Sequence, residues 1–412
     1  MTKKTIFIST GEVSGDLQGA MLIDALKQQA KQQGIELTIV ALGGEKMARA
    51  GATLLGNTTD IGSVGLLESL PFVLPTLTIQ CRAKQYLKHN PPDLVVLIDY
   101  MGPNLGIGTF IQHQLSQVPV IYYIAPQEWV WSLSPRNTTR IVEMTHKLLA
   151  IFPEEARYFE EKGASVHCVG HPLVDRIPSY PSREQARTAL GIKPDQTAIA
   201  LLPASRHQEI KYMMPIIFSA AQRLQEKLST CRDVPVERLE AGGQRANDKG
   251  QIFWIPLSHQ AYRKPIEKAI QDYGLQATLV TEKTQEVLAA ADLAITKSGT
   301  VNLELALLNV PQVVFYRVSP LTYWIARTFF NFSIPFMSPP NLVVMRPIVP
   351  ELLQENATPD NLVREAMELL FNPQKRQQTL ENYHQMRQLL GDVGVCDRAA
   401  LAILQLAHPL GL

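Results

Sequence analysis

The stretch Leu94-Val-Val-Leu-Ile-Asp99 is a continuous apolar run that ends in a carboxylate and leads into Tyr100-Met-Gly-Pro-Asn104. A run of this length, rich in Val, Leu and Ile, is typical of a strand that is covered on both faces of a parallel sheet. Similar runs occupy residues 6–9, 37–42, 120–124 and 147–152. Amphipathic stretches separate these runs, and the resulting βαβ alternation predicts a doubly wound α/β domain.

The same alternation starts again after a proline-rich stretch at residues 172–194. Strand-like runs then occupy residues 198–202, 252–256, 277–280, 293–296 and 312–315. Beyond Pro350 the pattern is helical, and residues 229–250 are polar without apolar periodicity, which predicts an exposed loop. We therefore predict two Rossmann-like domains, residues 1–180 and 181–350, followed by C-terminal helices over residues 351–412.

The composition excludes several classes of protein. The 412 residues include 39 Lys and Arg and 38 Asp and Glu, so the net charge of +1 gives no basic surface for nucleic acid. A hydrophobic fraction of 46% excludes a disordered chain, and the apolar runs are too short for a polytopic membrane protein. The four cysteines stand alone, so neither a zinc site nor a disulfide framework is predicted. We expect a cytoplasmic protein, because the apolar N-terminal run is too short for a signal peptide.

Three features of the first domain are candidates for chemistry. Asp99 is a candidate general base, because desolvation at the end of a buried strand raises the pKa of a carboxyl group; alternatively, Asp99 caps the next helix. Glu128, beside Trp129, either lines a site or begins a helix that packs on the sheet. The turn from Gly11 to Asp16 lacks both G-x-G-x-x-G and a Walker A motif, so it is either a plain tight turn or a place where a ligand approaches the backbone.

The second domain contains two candidate phosphate-binding turns. Arg206 follows a predicted strand and can donate to a phosphate, unless it only pairs with Glu209 at the surface. In Ser298-Gly-Thr300, backbone N–H groups and the dipole of the next helix suit a pyrophosphate, and Glu304 can accept from ribose hydroxyls. A capping sequence with Ser298 or Thr300 as the N-cap is compatible with the same residues.

Residues 61–79 are apolar over their whole length, although Glu68 and two prolines make a membrane-spanning helix improbable. This apolar segment is either a buried helix-turn-helix or an exposed surface that meets lipid in the interfacial plane. Three basic residues follow it, namely Arg82, Lys84 and Lys88, and they favour contact with a membrane surface.

The order of these motifs resembles the lipid-A-disaccharide synthase family, and the resemblance extends from the first strand to about Gln354. The motifs are Gly11 to Asp16, Asp99 with Asn104, Trp129 to Trp131, Val169 to Pro172, Pro203 to Arg206 with Glu209, Ser298 to Thr300 with Glu304, Pro340-Asn341 and Pro350 to Gln354. Two positions depart from the family pattern. Gly102 replaces a second Asp, and Ala204 replaces a Gly.

The resemblance implies a GT-B glycosyltransferase, in which two Rossmann-like domains face each other across a cleft and the last helices cross back to the first domain. The family transfers diacylglucosamine from its UDP donor to diacylglucosamine 1-phosphate, with inversion and without a required metal or other cofactor. Asp99 would deprotonate the acceptor hydroxyl. The donor would contact Arg206, Ser298, Gly299, Thr300 and Glu304. The acceptor or sugar would contact Ser14, Gly15, Asp16, Asn104, Glu128 and Asn341.

The resemblance also implies where the protein acts. Residues 61–79 would admit acyl chains, and the enzyme would lie peripherally on the inner face of the cytoplasmic membrane of a Gram-negative-type bacterium; a homodimer is compatible with this reading. Two alternatives stay open: another UDP-sugar transferase or an epimerase of the same fold, and a membrane-associated scaffold that binds nucleotide sugars without turnover.

Overall fold

Two parallel sheets organise the chain, one in each of two units. The first unit comprises Met1–Asp175 and Gln388–Leu412, and the second comprises Arg176–Tyr323 and Pro335–Arg387. The computed structural model describes residues 2–11, 13–59, 70–130, 132, 134–203, 207–231, 252–319 and 335–407.

The first sheet has seven strands. They are β1 (Thr2–Ser9), β2 (Ile35–Gly43), β3 (Thr53–Asn57), β4 (Leu94–Ile98), β5 (Val120–Tyr123), β6 (Lys147–Ala150) and β7 (Val166–Cys168). Their order is β3-β2-β1-β4-β5-β6-β7, with parallel pairing throughout. The direction of winding changes between β1 and β4, so the carboxyl ends of these two strands form the topological switch point where such sheets bind ligands.

The helices of this unit lie between the strands and are formed by the amphipathic stretches of the sequence. They are α1 (Val13–Gln32), α2 (Glu45–Arg49), α3 (Leu70–His89), α4 (Met101–Gln114), α5 (Pro135–Met144), α6 (Pro153–Glu161) and α7 (Leu173–Arg176). All five residues of β4 are buried, and Phe7, Val95 and Tyr122 belong to one core cluster. Burial of the strands is the reason why they are continuous apolar runs rather than alternating ones.

The second sheet has six strands in an equivalent order. They are β8 (Ile199–Leu202), β9 (Phe253–Pro256), β10 (Ala277–Val280), β11 (Leu293–Lys297), β12 (Gln312–Tyr316) and β13 (Glu351–Leu353). The order is β10-β9-β8-β11-β12-β13, again with parallel pairing. The switch point here lies between β8 and β11. The prediction of two doubly wound α/β sheets is confirmed.

Nine helices surround this sheet among the described residues. They are α8 (Arg183–Leu190), α9 (His207–Tyr212), α10 (Met214–Cys231), α11 (Arg263–Asp272), α12 (Thr284–Ala290), α13 (Val301–Leu307), α14 (Pro339–Val344), α15 (Pro359–Phe371) and α16 (Pro373–Leu390). The expectation of helix from Pro350 onward is wrong at its start, because β13 extends the sheet there. The strand has only three residues and lies at the sheet edge, so it has no apolar run to reveal it.

The last described helix, α17 (Val395–Ala407), belongs to the first unit and packs on α1. The Asp175 carboxylate accepts three backbone N–H groups at its start, from Gly394 at 2.6 Å, Val395 at 3.1 Å and Cys396 at 2.7 Å. A carboxylate in this position satisfies N–H groups that have no partner inside the helix and interacts favourably with the helix dipole. The Asp175 side chain therefore anchors the C-terminal helix.

Asp175→Ala should lower the free energy of unfolding of the first unit by about 2 kcal/mol, because three N–H groups lose their acceptor. Denaturant unfolding followed by circular dichroism measures this change. Asp392→Ala is the matched control, since Asp392 is an exposed residue just before the same helix. Equal effects of the two substitutions would contradict the anchoring role.

Candidate active site

The turn after β4 carries the candidate base in an unusual backbone conformation. Asp99 has φ +46° and Tyr100 has φ +48°, so two consecutive non-glycine residues lie in the left-handed region. Such residues cost about 1–3 kcal/mol each and persist where the surrounding structure enforces them, often at functional sites. The turn is at the β1/β4 switch point, and the Asp99 side chain is partly exposed there.

Three groups hold the backbone of Asp99. Its carbonyl oxygen accepts from Asn104 Nδ2 at 2.8 Å and from the Tyr122 hydroxyl at 2.8 Å, and its N–H donates to the Ile124 carbonyl at 2.9 Å. Burial, together with the charge of Asp99, raises the pKa of Tyr122 well above its ordinary value, so the phenol stays a donor. The strained turn is therefore fixed from three sides.

Asn104 is fully buried and uses both ends of its amide on the protein. Besides Asp99, its Nδ2 donates to the carbonyls of Ile98 at 3.0 Å and Ser9 at 3.3 Å, and its Oδ1 accepts from Ser9 Oγ at 2.7 Å. Asn104 thus joins the ends of β1 and β4 across the switch point. Its polar atoms are therefore engaged by the protein, and its role is to hold the Asp99 turn.

The glycines of the first turn are required by close packing. A Cβ on Gly11 would overlap the ring of Tyr100, and a Cβ on Gly15 would overlap Thr10 Oγ1. Ser14, between them, is partly exposed in the first turn of α1. The sequence motif therefore keeps the start of α1 close to the ends of β1 and β4.

The Asp16 carboxylate is buried and accepts hydrogen bonds from backbone N–H groups at the start of α2. Its Oδ1 accepts from the N–H groups of Gly44 at 2.8 Å and Met47 at 3.1 Å, and its Oδ2 accepts from Lys46 N–H at 3.1 Å. These are the donors at the start of α2, so Asp16 caps that helix from a distance in sequence.

Two further buried carboxylates follow β5 and β6, Glu128 in a turn and Glu155 in the first turn of α6. Glu128 accepts from the Ser132 hydroxyl and, at 3.2 Å, from Asn137 Nδ2. Glu155, which was not among the predicted site residues, accepts hydrogen bonds from the backbone N–H groups of Ala125, Ile151 and Phe152. Burial raises the pKa of Glu155 to about 7. Its only sequence signal is an acidic residue in the first turn of a helix that follows a strand.

The Ser298-Gly-Thr300 turn lies between β11 and α13, at the second switch point. Ser298 Oγ donates to the Met337 carbonyl at 2.7 Å, and Gly299 N–H donates to Asn302 Oδ1 at 2.7 Å. Asn302, fully buried, donates its Nδ2 to the Lys297 carbonyl at 3.3 Å. Because the Gly299 N–H is engaged by Asn302, the turn offers a ligand fewer backbone donors than the sequence suggested.

A buried ion pair links the Ser298 to Thr300 turn to α9, the helix that follows the Arg206 position. Lys297 Nζ lies 3.0 Å from Glu209 Oε1, with side chains only 11% and 6% exposed. Glu209 belongs to α9, which begins directly after Arg206, and Arg206 itself lies outside the described residues. The alternative pairing of Glu209 with Arg206 therefore also lies outside the described residues.

Glu304 is held by two residues from the start of the second unit. Its carboxylate accepts from Arg176 Nη1 at 2.7 Å and from the Tyr180 hydroxyl at 2.8 Å. Burial and the charge of Glu304 raise the pKa of Tyr180, so this hydroxyl also remains a donor. Neither Arg176 nor Tyr180 carries a signal in the sequence, because they are more than 120 residues away from their partner.

Asn341 is buried and also satisfied by the protein. Its Oδ1 accepts from Ile348 N–H at 2.7 Å and Val349 N–H at 2.9 Å, and its Nδ2 donates to Glu351 Oε1 at 2.7 Å. Asn341 therefore joins α14 to the edge strand β13. Its amide supports this proline-rich segment.

Of the apolar segment at residues 61–79, residues 61–69 lie outside the described residues, and the rest belongs to α3. Three apolar side chains of α3 are exposed: Val73 at 44%, Leu74 at 74% and Leu77 at 53%. In the part of the chain covered by the structure, no helix has the length and apolar character to span a membrane. No group of three or more His, Cys, Asp and Glu residues that could hold a metal ion occurs in that same part.

Comparisons with known proteins bear on both units. A sequence model described as Lipid-A-disaccharide synthetase matches residues 6–242 and 243–406. The chain is 57% identical to the lipid-A-disaccharide synthase of Gloeothece citriformis, over 97% of this chain and 99% of that protein. It is 52% identical to the enzyme of that name from Synechocystis sp., over 98% of each chain.

Among solved structures, the chain is similar to a UDP-GlcNAc 2-epimerase from Neisseria meningitidis bound to UDP-GlcNAc. The TM-score is 0.62 at 12% sequence identity, with coverage of 98% of this chain and 100% of the other. At this identity the similarity concerns the fold alone.

Replacing one member of the Lys297–Glu209 pair should destabilise the second unit more than replacing both. Lys297→Met should lower the free energy of unfolding by about 3–5 kcal/mol, because the buried Glu209 carboxylate loses the ammonium group that lies 3.0 Å from it. Replacing both residues, Lys297→Met with Glu209→Leu, should recover most of that loss. Denaturant unfolding measures both variants.

The matched control breaks an exposed pair. Arg49→Met removes the partner of Glu45, whose side chain is 76% exposed, and should change the free energy of unfolding by less than about 1 kcal/mol. An equally small effect of Lys297→Met would contradict the assignment of a buried pair.

Proposed function

The chain belongs to the lipid-A-disaccharide synthase family and is a glycosyltransferase, and from this premise we propose the reaction and the residues that perform it. The protein joins UDP-diacylglucosamine to diacylglucosamine 1-phosphate and yields lipid A disaccharide 1-phosphate and UDP. The observation that carries the assignment of residues is the strained Asp99 turn at the β1/β4 switch point, held by Asn104 and Tyr122.

Asp99 acts as the general base. Its carboxylate takes the proton of the acceptor's primary hydroxyl as that oxygen attacks the anomeric carbon of the donor, and the bond from this carbon to the UDP oxygen breaks. Attack opposite the leaving group inverts the anomeric configuration. The fixed backbone supports this role, because a base must be held in hydrogen-bond reach of its proton.

The second unit binds the donor and stabilises the leaving diphosphate. The Ser298 to Thr300 turn supplies backbone and hydroxyl groups at the start of α13, and Arg206 supplies charge at the other turn of the β8/β11 switch point. Donors aimed at the charge that develops on the diphosphate lower the barrier. Glu304 accepts from the ribose, and Arg176 and Tyr180 hold its carboxylate in position.

Of the remaining residues, Ser14 contacts the acceptor or sugar, and the others hold the loops that do so. Ser14 is partly exposed and contacts the ligand, with Gly15 keeping its helix close to β1. Three residues, Asn104, Glu128 and Asn341, are buried with their polar atoms bonded to the protein. Asp16 is bonded in the same way. These four are positioning residues, which shape the loops that meet the ligand.

We propose that the protein binds the inner face of the cytoplasmic membrane through the exposed apolar face of α3. The face consists of Val73, Leu74 and Leu77, and the basic residues Arg82 and Lys88 are exposed further along the same helix. Apolar side chains combined with nearby positive charge are typical of interfacial binding to anionic lipid. The acyl chains of the two lipid substrates favour the same kind of interface.

Asp99→Asn should reduce turnover by about 10²- to 10⁴-fold and leave the affinity for UDP within about twofold, because the amide cannot take the proton. Release of UDP from the two lipid substrates measures turnover, and isothermal titration measures binding. Asp24→Asn, on the exposed face of α1, is the matched control. Unchanged turnover of Asp99→Asn would refute the base assignment.

The same assay separates the alternative functions. An epimerase converts the UDP-sugar without the acceptor and releases no UDP when the acceptor is added. A scaffold shows neither reaction in the unmodified protein, while it still binds UDP.

Leu74→Ser with Leu77→Ser should weaken binding to vesicles of phosphatidylglycerol and phosphatidylethanolamine by about tenfold, because two exposed apolar side chains no longer enter the interface. Sedimentation with the vesicles measures the bound fraction. Leu389→Ser is the control, since Leu389 is 42% exposed but lies on α16. Equal losses for both variants would contradict the role of α3.

A further inference from the structure

A lysine and a glutamate meet at the switch point of the second sheet. Lys297 is the last residue of β11, a strand whose five residues are all buried, and Glu209 belongs to α9, which follows the turn after β8. Since β8 and β11 are paired and the switch point lies between them, the ion pair lies where such sheets bind their ligands. The turns on both sides of the pair have a role in the proposed function, whereas neither member of the pair does.

The ammonium group of Lys297 lies against the Ser298 to Thr300 turn. Its Nζ is 3.0 Å from Glu209 Oε1 and 3.5 Å from the carbonyl oxygen of Ser298. A Cβ built on Gly299 would come within 3.6 Å of the same nitrogen. The positive charge is therefore next to the backbone that binds the donor diphosphate in the proposed function.

Stability alone does not account for an ion pair at this position. Removing two charges from water costs several kcal/mol, and a buried pair can often be replaced by apolar side chains of similar volume without loss of stability. The strand that ends in Lys297 begins as the apolar run Leu293-Ala-Ile295, so another apolar residue at its end would serve a structural purpose equally well. A charged ligand explains why the pair is kept at this edge of the sheet.

A lysine that is paired with a glutamate can bind phosphate at the same time. The ammonium group has three N–H donors, and lysine binds phosphate oxygens as a compact positive charge. Protein kinases use such a pair, in which the lysine contacts both the glutamate and the nucleotide phosphates. In the proposed reaction the diphosphate gains negative charge as its bond to the anomeric carbon breaks, so a cation at this place stabilises the leaving group.

We propose that Lys297 binds the diphosphate of the UDP donor through its ammonium group. This inference rests on the proposed function and deepens it, because it adds a cation to the turn that holds the leaving group. The ligand chemistry that Lys297 recognises is a phosphate oxygen, so the uridine part of the donor should not sense its removal.

Lys297→Met with Glu209→Leu tests this role, because two apolar side chains replace the pair and the net charge stays the same. The affinity for UDP should fall by about 10- to 100-fold, since a hydrogen bond between charged groups is lost. The affinity for uridine should stay within about twofold. Isothermal titration of the full-length protein with UDP and with uridine measures both affinities.

Turnover should fall together with the affinity for UDP. With saturating donor, kcat for UDP release should decrease by about tenfold or more, because the leaving diphosphate loses part of its stabilisation in the transition state. A decrease in UDP affinity combined with a decrease in kcat separates a contact to the diphosphate from a general loss of folded protein, which would lower the binding stoichiometry instead.

The matched control replaces an exposed ion pair of the same unit. Arg223→Met with Asp360→Leu removes the pair between α10 and α15 and should leave both affinities and kcat unchanged. If the double variant at Lys297 and Glu209 does not fold, as judged by circular dichroism, Lys297→Gln takes its place. The glutamine amide can still donate to Glu209 but has no charge, so the same selective loss of affinity for UDP is expected.

Two results would overturn the role of Lys297. One is an unchanged affinity for UDP in a folded variant, as expected if the pair is only structural. The other is an equal loss of affinity for UDP and uridine, which indicates a displaced binding site rather than a lost phosphate contact. Either result leaves the proposed function intact as long as the unmodified protein releases UDP from the two lipid substrates. Absence of that release would refute the proposed function, and absence of UDP binding by the unmodified protein would refute both.

Discussion

A buried asparagine amide closes the strand-end turn at each switch point, and the candidate chemistry of each unit depends on it. Asn104 donates to the carbonyls of Ile98 and Asp99, and Asn302 donates to the carbonyl of Lys297. In both cases the amide oxygen accepts a donor from the adjoining turn, Ser9 Oγ or Gly299 N–H. An unpaired amide in the core would be costly, so each side chain fixes its turn in one conformation.

This constraint explains how a strained backbone persists at the proposed base. Left-handed φ angles at Asp99 and Tyr100 are unfavourable, yet two hydrogen bonds to the Asp99 carbonyl and the packing of Tyr100 over Gly11 leave no alternative. The second unit fixes its turn with a buried charge pair beneath it, Lys297 and Glu209. A rigid turn supports proton transfer and leaving-group stabilisation, because neither tolerates a displaced group.

A sequence can show where a ligand-binding site lies without showing which residues contact the ligand. The buried carboxylates and amides are the example. Asp16 and Glu128 follow strands, as ligand-binding residues of such sheets do, and their side chains bond to the protein's own groups. A polar residue at a strand end satisfies either a ligand or an orphaned backbone N–H, and both uses give the same local sequence. Glu155, Arg176 and Tyr180 have no recognisable sequence motif, because their partners are distant in sequence or belong to the backbone.

The sequence by itself determined the alternation of strands and helices and the positions of the strand-end motifs, because continuous apolar runs and small-residue turns are local properties. The edge strand β13 has no signature in the sequence, since three residues carry no periodicity. Only the tertiary structure decided that β1 neighbours β4 and β8 neighbours β11, and hence which turns meet at a switch point. It also brought Arg176 and Tyr180 to the Glu304 carboxylate, more than 120 residues later, since hydrogen bonding between distant groups depends on strand order and packing rather than on local pattern.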